Sequence, residues 1–146
     1  MNSVEIAFSD DGTLINPALH DANLFGIISC PNRRMFILVR DVHGKIHCLA
    51  FFGVERFRAD DFRQGNIILD ITVQTGTNVS SEDLAYIFGI DVSTSDSYRE
   101  NIMKKFNSGR LMLVQLDQSY GCSFLCACEG IEIVEDWINE VASNCS

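Results

Sequence analysis

The chain has 146 residues, 47% hydrophobic and 21% charged, a globular composition that excludes a disordered or fibrous protein. Eleven Lys and Arg against 20 Asp and Glu leave a net charge of −9, and no basic residue follows Arg110, so direct nucleic-acid binding is not expected. No run reaches the roughly 18 apolar residues of a membrane span, and no basic segment leads into an apolar one at the start; a cytoplasmic protein of one domain, residues 1–146, with no membrane partner is expected.

Period-2 alternation of apolar residues opens the chain at 4–8 and returns at 24–28, where Cys30, Pro31, Asn32 and Arg33 form a turn. Residues 35–40 and 45–52 predict a hairpin, with Gly44 supplying the positive φ of its tight turn. Residues 53–65 read as irregular or short extended chain, and 67–75 as a strongly apolar strand in which Asp70 shares a face with Ile68, Thr72 and Gln74. The period then changes. Ser80 caps a short helix that carries Leu84, Ile87 and Phe88 and stops at Gly89; Ser95 caps a second one carrying Tyr98, Ile102, Met103 and Phe106, with Lys104 and Lys105 near its end for the helix dipole and Gly109 as the stop. Residues 111–116 and 122–128 predict a second hairpin around a turn at 117–121, continued past Gly130 by 131–133 with a bend. A last helix near 135–141 aligns Trp137, Ile138 and Val141. The expected fold is α+β, a mostly antiparallel β-sheet with two or three short helices.

Chemistry-bearing residues are sparse. Six cysteines, at 30, 48, 122, 126, 128 and 145, are expected to be reduced thiols; Cys122, Cys126 and Cys128 alternate along an extended segment, which suits core packing and not the converging turn of a zinc site. No Gly-rich loop cradles a phosphate and no cysteine follows a nucleophile elbow, so no catalytic residue, metal or cofactor is assigned. His20 and Asp21 form the one adjacent His–Asp pair, able to bind a metal or supply a base if further ligands converge on it, but placed for local capping in a Pro-containing connection. Asp60, Asp61, Asn66 and Asp70 form a second polar group that Arg56, Arg58 and Arg63 are close enough to pair.

Residues 19–24 and the stretch from Phe52 to Phe57 leading to 66–68 resemble a pattern in small bacterial proteins in which an "HDA-x-L" opening precedes a hairpin, some of them similar to immunity proteins of polymorphic toxin systems. The resemblance covers about the first half and has no counterpart beyond residue 75. It implies a non-enzymatic domain that binds and neutralises a toxin. On this reading a basic protein partner is steered by the acidic last third, Asp117, Glu129, Glu132, Glu135, Asp136 and Glu140, with Trp137 as the anchor and Glu135 and Asp136 beside it. The alternative is a small-molecule-binding or metal-dependent enzyme using His20 and Asp21; a third reading is a self-associating protein, a dimer included.

Overall fold

The computed structural model describes residues 3–145; Met1 and Asn2, the head of the stretch read above for a leader, lie outside the described residues, as does Ser146. The fold is α+β and its main sheet is antiparallel throughout. It comprises β1 (Ser3–Val4), β4 (Asn23–Cys30), β5 (Arg34–Arg40), β6 (Ile46–Phe52), β7 (Arg56–Asp60), β8 (Ile67–Thr75), β9 (Met112–Tyr120), β10 (Ser123–Cys128) and β11 (Gly130–Val134), while β2 (Ala7–Phe8) and β3 (Leu14–Asn16) form a separate hairpin. The helices are α1 (Ser81–Phe88), α2 (Asp96–Asn107) and α3 (Trp137–Asn144).

The sheet order is β1-β11-β6-β5-β4-β8-β9-β10-β7. Its two ends meet. β6 runs on into β7 across residues 53–55, β10 runs on into β11 across Glu129, and the two bent strands pair from Cys48 to Asp60, β6 with β11 and β7 with β10. Bonds from Glu129 N to Phe52 O (3.0 Å) and from Glu55 N to Ala127 O (2.9 Å) carry the ladder through the bend. A path through β4, β5, β6–β7, β10–β11, β9 and β8 therefore returns to β4, where Leu24 N meets Asn66 O at 2.8 Å and Ile68 N meets Ala22 O at 2.9 Å. The sheet is a closed barrel, and closure removes most of the exposed edge an open sheet would present.

Alternation sorts the side chains. Met35, Ile37 and Val39, Leu49 and Phe51, Val114 and Leu116, and Phe124, Cys126 and Cys128 fill the barrel. Their outward neighbours Leu113, Leu125 and Ala127 lie beneath α1 and α2 with Leu84, Ile87, Phe88, Ile102 and Phe106. Phe36, Leu38, Cys48, Ala50 and Val134 lie beneath Trp137 and Val141 of α3. Each helix thus covers an apolar patch on the barrel's outside, which is why strands 5, 6, 9 and 10 read as nearly continuous apolar runs.

Five expectations need correction. The opening stretch is two strands with different partners, since β1 pairs with β11 and β2 with β3. Residues 56–60 form a full strand. The turn expected at 117–121 shrinks to Gly121 and Cys122, because β9 stays paired with β8 as far as Tyr120. Gly121 has φ 83°, and a Cβ there would collide with Asn66 Oδ1. Bulges in β8 at Ile67/Ile68 and Ile68/Asp70 break the assumed parity, so Ile68 and Ile71 are both buried while Leu69 is exposed. Finally, the thiols are not all reduced: Cys30 and Cys145 are joined in a disulfide with Cα atoms 4.8 Å apart, while Cys48, Cys122, Cys126 and Cys128 are free and buried.

The caps hold as expected. Ser80 Oγ accepts from Asp83 N, Ser95 Oγ accepts from Tyr98 N, and Gly89 ends α1 in the left-handed region. Lys105, assigned to the α2 dipole, instead reaches Glu55 at 2.9 Å. Glu55 also faces Arg33 (3.6 Å) and Arg110 (3.8 Å), and both arginines continue to Glu129 (4.0 and 3.7 Å). These five charges sit where both bent strands turn, so the network fixes the bend that closes the barrel.

Candidate functional site

The outer face of β8 and β9 next to α1 is the part of the barrel wall where polar residues replace the apolar patch. The bulges set its register: Asp70 lies opposite Asp117, and Thr72 opposite Gln115. The first turn of α1 adds Glu82 and Asp83. With Tyr86, Gln115, Asp117, Gln118, Ser123 and the edge of Phe124, these two line a concavity of about 340 Å³ between α1, β9 and β10, and Asp70 and Thr72 of β8 lie outside its lining. Gln74 Nε2 donates to Gln115 Oε1 (3.2 Å) and Asp83 Oδ2 (3.4 Å), and Gln115 Nε2 donates to Asp117 Oδ1 (2.9 Å). Gln74 also borders a second hollow, of about 540 Å³, with Asp10, Asp11 and Thr72.

The concavity's charge is not balanced. Ion pairs among the described residues involve none of Asp70, Glu82, Asp83 or Asp117. Arg58, whose guanidinium lies 3.9 Å from the Tyr86 ring centre at the rim, is already paired with Asp60 at 3.2 Å. Partial burial, then the carboxylates of Asp70 and Asp83, push the Asp117 carboxyl above its ordinary value. Like charges directly opposite across a ladder destabilise a sheet, so this wall is poorer for its own stability than a Thr or Gln pair would be.

The acids expected to steer a partner are placed differently. Glu129 is bridged by Arg33 and Arg110, and Glu132 and Glu140 both face Arg34 (3.9 and 4.0 Å). The last third is therefore not a single-sign field: cations from earlier in the chain fold against it. Glu135 and Asp136 are exposed, and Asp136 Oδ2 accepts from Asn139. Trp137 is half-buried against the patch under α3, so its ring already has an intramolecular partner.

His20 and Asp21 are both well exposed, with side chains 61% accessible. His20 Nδ1 donates to the Leu69 carbonyl at 2.6 Å, a bond that raises the imidazole's pKa ahead of the Asp21 charge 3.7 Å away. Asp21 has φ 63° and its amide bonds Ile68 O, so the pair ties the connection to β8 where the barrel closes. Among the described residues no three His, Cys, Asp or Glu side chains converge for a metal ion.

The other polar group divides. Arg58–Asp60 and Arg63–Asp61 (2.8 Å) form exposed pairs. Asn66, 1% accessible, is a buried hub: its Oδ1 accepts from Arg63 N and Cys122 N while its Nδ2 donates to Leu24 O and Arg63 O. Its role is structural.

No helix among the described residues is long and apolar enough to cross a membrane. Comparison with known protein families, with curated proteins and with solved structures returns no match.

Proposed function

We propose that the protein is a non-enzymatic binding module for a basic protein, of the immunity type, and that the hollow between α1, β9 and β10 receives its Lys or Arg side chains. The observation that carries this reading is the Asp70–Asp117 pair. Asp117, on the wall of the hollow with Asp83 nearby, faces Asp70 across the ladder, and among the described residues no Lys or Arg pairs with any of the three. A sheet gains nothing from that arrangement by itself; an incoming ammonium or guanidinium turns the same repulsion into attraction and is guided toward it from a distance. Gln74 and Gln115 hold the Asp83 and Asp117 carboxylates in place through their amides, and Tyr86 offers an aromatic wall.

The test is titration calorimetry with a short Arg- and Lys-rich peptide against wild type, the Asp83→Asn/Asp117→Asn variant and the Glu135→Gln/Asp136→Asn variant. The first variant is expected to lose affinity by about tenfold and the second by less than about twofold, because only desolvated, geometrically fixed charges contribute strongly. Equal losses, or a larger loss from the α3 pair, would assign binding to general surface charge and overturn the reading.

A further inference from the structure

The α3 helix and the disulfide beneath it form a second device, independent of the acidic hollow. α3 has eight residues, too few for a helix that stands alone in water. None of its side chains is fully buried; it rests on the barrel through Trp137, Val141 and Cys145, one per turn. Its start is fixed by the chain leaving β11, and its end by Cys145 bonded to Cys30 at the end of β4. The contact is not well satisfied. Arg34, placed under α3 with its guanidinium about 4 Å from Glu132 and Glu140, keeps a buried Nε with no hydrogen-bond partner. Such a group favours any state in which water reaches it.

What α3 covers is chemically specific. Phe36, Leu38, Ala50 and Val134 surround Cys48, a free thiol with no exposed surface. Burial, and then the Glu140 charge on α3, push that thiol up to about 12. A thiol so held is inert, since the thiolate is the nucleophile. Lifting α3 removes both causes together.

We infer that Cys30–Cys145 is a redox latch, and that its reduction by a dithiol releases α3 and turns Cys48 into an accessible, reactive thiol. In the reduction a thiolate of the dithiol attacks Cys145 Sγ, the more open of the two sulfurs; the Cys30–Cys145 bond breaks and Cys30 leaves as a thiolate that takes a proton. The second thiol of the reagent then attacks the mixed disulfide and frees Cys145. Two electrons and two protons pass from the dithiol to the protein, and the reagent ends as its own disulfide.

The experiment follows alkylation of each free cysteine by iodoacetamide, read by peptide mass spectrometry. The full chain is compared in its oxidised form, after dithiothreitol treatment and removal of the reagent under anaerobic conditions, and as the Cys30→Ser/Cys145→Ser variant. In the oxidised chain Cys48 is expected to react as slowly as Cys126 inside the barrel. In the reduced chain and the variant Cys48 is expected to react at least about tenfold faster while Cys122, Cys126 and Cys128 stay slow, the signature of local opening. Three results would overturn the inference: Cys30 and Cys145 alkylating freely in the air-oxidised chain, Cys48 staying slow once the bond is gone, or all four free thiols accelerating together, which reports global unfolding and not a released helix.

Discussion

Asp117→Asn should make the protein more stable while making it a poorer binder. Asparagine keeps the Oδ1 that accepts from Gln115 and removes one of the two charges facing each other across β8 and β9. Like charges opposite each other on a sheet cost about 0.2–1 kcal/mol, and Coulomb's law at about 5 Å in a solvent-rich environment gives a similar ~1 kcal/mol. Burial of the carboxyl and the Asp83 charge act in the same direction, and solvent screening trims all three, so the expected gain is about 1 kcal/mol, or about 2–4 °C in Tm for a chain of this size. The pH dependence has a definite sign. A carboxyl whose folded pKa is raised weakens the fold once it ionises: the favourable contribution of its protonated form is complete below the ordinary 3.8 and lost as pH rises through the folded value. The variant's advantage is therefore full at neutral pH, closes below 3.8 and shrinks in high salt. Thermal melts followed by circular dichroism at both pH values, in low and high salt, read it directly. A variant that is unchanged or less stable at neutral pH and low salt would mean that Asp117 is not repelled, and the unbalanced hollow would lose its physical basis.

Three further outcomes follow from the same geometry. Glu55→Gln leaves Arg33, Lys105 and Arg110 crowded at the bend of the barrel without their shared carboxylate, and chemical denaturation should show a loss of about 1–3 kcal/mol; no change would reduce the network to surface decoration. Phe124→Ala removes a ring packed 5.7 Å from Phe51 and 6.5 Å from Phe57, for an expected loss of about 3–5 kcal/mol by the same measurement, with a loss under about 1 kcal/mol contradicting a filled barrel. Asp41, held down to about 2 by the His47 hydrogen bond first and by the amides of Lys45 and His43, stabilises the β5–β6 hairpin above 3.8, and that contribution fades as pH falls toward 2. Asp41→Asn should lower Tm at neutral pH and flatten its acid dependence; a parallel offset at every pH would speak against it.

The sequence was legible where local chemistry decides. Ser80 and Ser95 sit at caps whose hydroxyls accept the amides three residues on, and Gly44 and Gly89 take the positive φ their turns need. β5, β6 and β10 stand out as nearly continuous apolar runs because both barrel faces are covered there, one by the interior and one by a helix. β7 stayed ambiguous between irregular and short extended chain because Arg56, Phe57 and Arg58 are all exposed and carry no apolar period.

What remained hidden was set by long-range pairing. Asp117 looked like a turn residue and Asp70 like ordinary one-sided polarity; only the two bulges in β8 put them face to face. The acidic last third looked unbalanced because two of its cations, Arg33 and Arg34, come from the opposite half of the chain, and Cys30 meets Cys145 across 115 residues. Spacing in sequence holds no signal for such contacts. A charge count by thirds therefore selected Glu135 and Asp136, while the barrel directs attention to Asp70, Asp83 and Asp117.

Docking of a basic partner, as proposed, centres on the hollow between α1, β9 and β10. Its most direct test is a two-dimensional amide NMR titration of the isotopically labelled protein with the Arg- and Lys-rich peptide. Docking there produces shifts that concentrate at residues 82–86, 115–118 and 123–125, saturate together and vanish in Asp83→Asn/Asp117→Asn. Shifts scattered over every acidic residue, or gathered on α3, would contradict it.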